Sequence, residues 1–131
     1  MKQKLYLAGG FLLGAFYILA GLNHFRIPDF YTGIMPPYFP AKDILNLASG
    51  LAEILLGAAV LYRKTSRIAT YLIIAMLIAF IPVHVYFIQV DSCIKDVLCK
   101  PPWVGWVRLV LVHPLLILWA WSYRSFGSRP A

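Results

Sequence analysis

Four long apolar runs, separated by short polar or proline-rich stretches, take up nearly all of this chain. They cover residues 5–23, 44–62, 68–89 and 103–122. Each holds roughly 20 residues, and at about 1.5 Å of rise per residue each spans the ~30 Å hydrocarbon core of a bilayer. Little chain is left between them for a water-soluble domain. The pattern predicts one all-α unit over residues 1–131, a polytopic membrane four-helix bundle, with a disordered tail at about 125–131. Lys2, Lys4 and Ile18-Leu19-Ala20 loosely match a signal peptide. The first run is longer than a usual signal-peptide core, however, and is read as a retained span.

Composition agrees: 61% of residues are hydrophobic and 13% charged, with a mean hydropathy of +0.75. A soluble domain of this size could not hide so much apolar surface. The formal net charge of +7 does not point to nucleic acid, because of where it sits. With four spans, both termini and the second loop share one side. That side carries Lys2, Lys4, Arg63, Lys64, Arg67, Arg124 and Arg129 and no acid. The opposite loops balance Arg26, Lys42, Lys95 and Lys100 against Asp29, Asp43, Asp91 and Asp96, and only Glu53 and Arg108 fall within spans. This is the positive-inside pattern. It predicts a multi-pass protein of the cell membrane with both termini cytoplasmic and a basic rim that favours anionic lipid heads.

Helix association in lipid depends on close packing and polar contacts. Gly10 and Gly14 have GxxxG spacing, and Ser49, Gly50 and Gly57 share the helix face of Glu53. Glu53 is therefore expected at a helix interface. Pro82 and Pro114 predict kinks in the third and fourth helices. The stretch from Arg26 to Lys42, with Phe30, Tyr31 and Met35-Pro36-Pro37-Tyr38-Phe39-Pro40, is too aromatic and proline-rich for a floppy linker. An external cap over one end of the bundle is expected. Cys93 and Cys99 share the last external loop, where an oxidising space would join them in a disulfide. A structural staple, a redox pair and free thiols are the three readings of that pair.

Ionisable groups within a span cost roughly 2.5–3.5 kcal/mol each at its centre, so they tend to mark sites. The polar and ionisable residues here are Asn23, His24, Glu53, His84, Arg108 and His113, with Asn46, Ser49 and Gln89 nearer the ends. Counting about 1.5 Å per residue from the outer end puts Glu53 and His113 ~15 Å deep. On the same count His84 and Arg108 lie at ~8–9 Å, with Asn23 and His24 at the mouth. The layering predicts a pocket that opens outward and ends near the midplane, with Glu53 paired to His113 and Arg108 above them. Arg108 suits an anionic or carbonyl-bearing ligand, because its planar fork matches such oxygens. Each residue also has a plain structural reading: a cross-helix hydrogen bond for Glu53, His84 or His113, snorkelling for Arg108, a helix cap for His24. No metal site is expected, since the histidines lie on three helices without HxxxH or ExxH spacing.

Ala20-Gly21-Leu22-Asn23-His24-Phe25 and Tyr31 to Pro40 resemble the first helix and loop of DoxX-like membrane proteins. Ser49 to Gly57 resembles that family's second helix, and Arg67-Ile68-Ala69 its inner loop. Phe80 to Tyr86 and Arg108 to Trp119 continue the likeness, so that it covers about residues 17–121. The resemblance implies a DoxX/MauE-type four-helix bundle with Asn23, His24, Glu53 and Arg108 as its polar centre. That group includes a subunit of thiosulfate:quinone oxidoreductases, maturation factors and receptor-assembly chaperones. Two departures stand out: His84 replaces an Asn often found in helix 3, and Val112 or His113 replaces a Gln expected shortly after Arg108.

Three functions compete at this level. The first is a pocket for a quinone or similar hydrophobic small molecule in a redox-accessory protein. The second is a non-enzymatic assembly partner of another membrane protein, or of a second copy of this chain. The third is thiol–quinone exchange through Cys93 and Cys99. Transport of a small solute ranks behind them, and no nucleophile–base pair or cofactor motif marks the chain as an enzyme.

Overall fold

The computed structural model describes residues 2–125, so the expected tail lies, apart from Ser125, outside the described residues. The elements are α1 (Lys2–Arg26), α2 (Pro28–Gly33), α3 (Lys42–Leu61), α4 (Ser66–Ala79), α5 (Ile81–Gln89), β1 (Cys93–Ile94), β2 (Leu98–Cys99) and α6 (Trp103–Val107), then a π-helical turn (Arg108–Val112) and α7 (His113–Ser122). They give four helices long and apolar enough to cross a membrane: Gln3–Arg26, Lys42–Leu61, Ser66–Gln89 and Trp103–Ser122. At most 28% of the most apolar stretch of any of them is buried inside the protein. Leu12, Leu19, Leu55, Ile68, Val110 and Leu118 all face outward. Apolar residues on the outside and polar ones within is the arrangement of a membrane protein.

The first helix runs three residues beyond its expected end at Asn23. It stops because Pro28 forces the preceding residue, Ile27, out of the helical region, at φ −131° and ψ 59°. Pro82 has no N–H to donate, and the third span breaks at Phe80 between α4 and α5. The fourth span differs from the simple kink expected at Pro114. A proline ring crowds the carbonyl four residues back, here that of Val110. The chain widens ahead of it into a π turn, in which the His113 N–H donates to the Arg108 carbonyl.

The first two spans form a tight antiparallel pair. The buried positions of α3 are Asn46, Gly50, Glu53, Gly57 and Val60, a repeat of alternating fours and threes. Gly14, Tyr17, Gly21 and His24 carry the matching repeat on α1, and all four are buried. A Cβ on Gly57 would lie 2.7 Å from the Gly14 carbonyl oxygen, and one on Gly21 would lie 2.5 Å from that of Gly50. The contact therefore uses two glycine pairs seven residues apart, Gly14 with Gly57 and Gly21 with Gly50. Gly14 of the expected Gly10–Gly14 spacing takes part in it. A seven-residue repeat keeps one face on the partner over several turns.

The third and fourth spans form the second hairpin. The two hairpins meet at the end that holds Gln3 and Ser122, around Leu13, Tyr17, Val60, Ala69, Ile73, Leu77 and Ala120. Tyr6 stacks on Tyr123 there, with ring centroids 4.7 Å apart. At the loop end α2 is wedged between the hairpins, and Phe30 and Ile34 join Phe87 in a second cluster. Lys42 Nζ ties this loop down by donating to the Met35 carbonyl at 2.7 Å. Gly33 lies flat against Ile94 of the small β1–β2 hairpin, in which Cys93 opposes Cys99 and is disulfide-bonded to it. Buried Ser92 joins the hairpin to α6, accepting from the Gly105 N–H at 2.9 Å and donating to the Pro102 carbonyl at 3.2 Å.

Gly57→Ala is expected to destabilise the protein by about 1–3 kcal/mol, because its methyl group meets a backbone oxygen that cannot move without parting the helices. Ala58→Leu, on the exposed face of the same helix, should be nearly neutral. Thermal denaturation in detergent compares the two, and equal effects would contradict the glycine contact.

Candidate functional site

Between the two apolar clusters lies a cavity of about 530 Å³. Asn23, His24, Glu53, His84, Arg108 and His113 all line it, from all four spans. Phe16, Tyr17, Ala20, Val112 and Leu116 supply much of the remaining wall, and Tyr31 of α2 closes over the loop end.

The glycine contact sets the first half of the site. At Gly21–Gly50 the backbones touch, so His24 and Asn46, one turn further on, meet directly. Asn46 Nδ2 donates to the His24 carbonyl at 3.2 Å, which turns Asn46 Oδ1 toward the imidazole. His24 Nδ1 therefore donates to that oxygen, at 2.8 Å. The tautomer is thereby fixed, and neutral His24 presents a bare Nε2. Glu53 Oε2 lies 3.6 Å from that nitrogen. At that distance the two groups face each other without a hydrogen bond between them. Tyr31 stacks on the imidazole with ring centroids 3.6 Å apart, and Asn23 Nδ2 donates to its hydroxyl at 3.1 Å. Burial holds the Tyr31 phenol above its usual range, while the Asn23 hydrogen bond opposes that shift. Glu53 and Arg108 pull the phenol in opposite directions, so the hydroxyl stands within electrostatic reach of both.

The second half depends on the two prolines. Five residues apart on an α-helix, Arg108 and His113 would point about 140° away from each other at 3.6 residues per turn. The π turn stacks the fifth residue over the first and brings both onto the cavity face. His113 Nε2 donates to the Leu77 carbonyl at 2.7 Å, beside the break that Pro82 makes. Its ring meets that of His84 edge-on, with centroids 4.7 Å apart. Arg108 sits over ring faces, its guanidinium carbon 5.2 Å from the Phe87 centroid and 5.7 Å from that of Phe30. Among the described residues it has no hydrogen-bond acceptor and no carboxylate in contact. Three buried polar atoms likewise lack a partner among the described residues: Tyr17 Oη, Glu53 Oε2 and His84 Nδ1. All three belong to residues of the cavity wall, and Tyr17 and Glu53 are only 2% and 7% exposed.

The cavity has a side opening. Phe16 of the first span touches Trp119 of the fourth, with ring centroids 5.8 Å apart. Val112 lies two turns toward the loop end on nearly the same face as Trp119, yet it is 41% exposed, and Phe16 is 39% exposed. The first and fourth spans thus touch at Trp119 and part beyond it.

Residues 13–124 match the family described as a domain of unknown function (DUF8561). The chain belongs to that family. No curated protein and no solved structure matches it. Every polar residue of the cavity wall falls within the stretch that matches DUF8561.

In this DUF8561 chain the expected pairing of Glu53 with His113 is not formed. His113 gives its proton to Leu77, and the neighbour of Glu53 is His24. Nor do the three depth layers stay apart, since His24 of the mouth reaches Glu53 and His84 meets His113. The depth count ended the first span at Asn23, whereas α1 continues to Arg26, and it took the fourth span as a straight α-helix through the π turn. Neither cysteine lines the cavity. Among the described residues no three histidine, cysteine or acidic side chains converge as a metal site. Tyr17 was missed from sequence, although a tyrosine midway along a span, on the same face as Gly14, Gly21 and His24, is itself a signal.

Pro114→Ala is expected to restore an α-helical turn and swing Arg108 off the rings of Phe30 and Phe87. In the native protein those rings should shift the Arg108 side-chain protons upfield in the NMR spectrum. The shift should vanish in Pro114→Ala, and its persistence would contradict the role given to the π turn.

Proposed function

We propose that this is a multi-pass cell-membrane protein whose cavity binds a hydrophobic small molecule with an oxygen-bearing head, a quinone or a chemically similar compound, as a redox-accessory component. The observation that carries this reading is the convergence of six polar residues from four spans on one cavity, with three buried polar atoms there still lacking a partner. Buried polar groups normally find partners, and a ligand oxygen would supply them. Arg108 is the donor for a carbonyl or charged oxygen, and Glu53 or His24 is the group to exchange a proton with a ligand hydroxyl. The opening beside Phe16 and Val112 suits a molecule that arrives through the lipid. The excess of basic residues at the end that holds the termini supports a cytoplasmic placement of both. The resemblance to DoxX-like proteins is part of this reading.

One observation favours a second reading, an assembly partner of another membrane protein. Tyr38, in the Pro-rich loop, is 75% exposed beside exposed Pro37 and Pro40, a surface suited to contact with another chain. Thiol–quinone exchange gains no such support, because the disulfide lies outside the cavity wall.

The test is native mass spectrometry of the gently solubilised protein, with organic extraction of what it carries. The expected result is a stoichiometric lipid-like molecule that is lost in Arg108→Ala and in Glu53→Gln. An empty protein accompanied by a reproducible second polypeptide would overturn the binding reading in favour of assembly.

A further inference from the structure

We infer that the cavity takes a single-chain amphiphile whose head is a carboxylate-like monoanion seated on Arg108. This rests on the cavity being a site for a hydrophobic small molecule, and it narrows the head group. The decisive quantity is the charge of the cavity wall. Among the described residues Glu53 is the only carboxylate of that wall. It faces the His24 imidazole, with Oε2 3.6 Å from Nε2, and forms no ion pair with Arg108. His113 already donates its Nε2 proton to Leu77. The His84 ring stands edge-on against that of His113, and a histidine supplies no negative charge in either form. What remains is the Arg108 guanidinium, over the rings of Phe30 and Phe87, with no carboxylate or hydrogen-bond acceptor in contact among the described residues.

A lone positive charge within a membrane protein calls for a single negative one, and a carboxylate matches the guanidinium fork in shape as well as charge. The rest of the cavity excludes a short, fully water-soluble acid as the best fit. Phe16, Ala20, Val112 and Leu116 line an apolar path to the gap between the first and fourth spans, where an alkyl chain gains by burial. The volume of about 530 Å³ lies within the range of about 300–1,000 Å³ usual for small-molecule sites.

The experiment is native mass spectrometry of the full chain, released from a neutral detergent and titrated separately with dodecanoate, methyl dodecanoate, butyrate and decylubiquinone. Acid and ester are compared on the unaltered protein, so the central comparison does not depend on a variant folding. One dodecanoate per chain is expected, held about tenfold or more tightly than the methyl ester, with butyrate far weaker than either. Arg108→Gln should lose about tenfold or more of dodecanoate affinity, and Arg108→Lys should keep part of it. Equal binding of acid and ester, or dodecanoate affinity unchanged in Arg108→Gln, would overturn the inference. Butyrate bound as tightly as dodecanoate would make the ligand a water-borne acid and overturn the amphiphile. Decylubiquinone bound in preference to dodecanoate would overturn the anionic head while the cavity keeps its role. No adduct with any of the four would overturn both.

Discussion

The close approach of the first two spans is the constraint on which the rest of this protein depends. In lipid there is no hydrophobic force to hold two apolar helices together, so contact must come from packing and polar bonds. Gly14 against Gly57 and Gly21 against Gly50 remove the side chains that would keep the backbones apart. Having set the distance, these contacts also set the register. Tyr17 and Glu53 fall between the two glycine pairs, and His24 meets Asn46 just beyond the second. A bulkier residue at any of the four glycines would move the polar residues as well as the helices.

The other hairpin reaches the same cavity by an opposite device. There the helices are disrupted instead of tightened. Pro82 breaks the third span beside Leu77, whose carbonyl then holds His113. Pro114 widens the fourth span into a π turn, which puts Arg108 and His113 on one face. Both prolines interrupt backbone hydrogen bonding, which is tolerated at membrane depth where the affected groups are buried in protein or line a cavity. The result is an uneven distribution of satisfaction. Asn46 and His113 are bonded, His24 is bonded on one side, and Tyr17, Glu53, His84 and Arg108, all residues of the cavity wall, keep polar atoms without a partner among the described residues. With each ionisable group in a span costing roughly 2.5–3.5 kcal/mol at its centre, leaving several of them unpaired is hard to account for by stability alone.

The spans were legible in sequence because bilayer thickness and helix rise leave little freedom in reading runs of about twenty apolar residues. The six polar positions were legible because each is costly where it lies. Their pairings were not. His24 looked like a group at the mouth because polarity ended the first run at Asn23, while the helix continues to Arg26 and stops only at Pro28. The Glu53–His113 pairing failed because rise counts assume a straight α-helix, and the π turn lies between the outer end of the fourth span and His113. Tyr31 and Phe30 were placed in a loop, but nothing in their spacing said that α2 would stack one on His24 and aim the other at Arg108.

The tautomer of His24 is the most direct test of this account, since the Asn46 bond that fixes it depends on the glycine contact. Nitrogen-15 NMR of histidine-labelled protein in bilayers, assigned through a His24→Gln variant, reads both ring nitrogens. The account predicts a protonated Nδ1 bonded to Asn46 and an Nε2 signal that changes in Glu53→Gln, because Oε2 lies 3.6 Å away. A neutral His24 with a bare Nδ1 and a protonated Nε2, insensitive to Glu53→Gln, would contradict it.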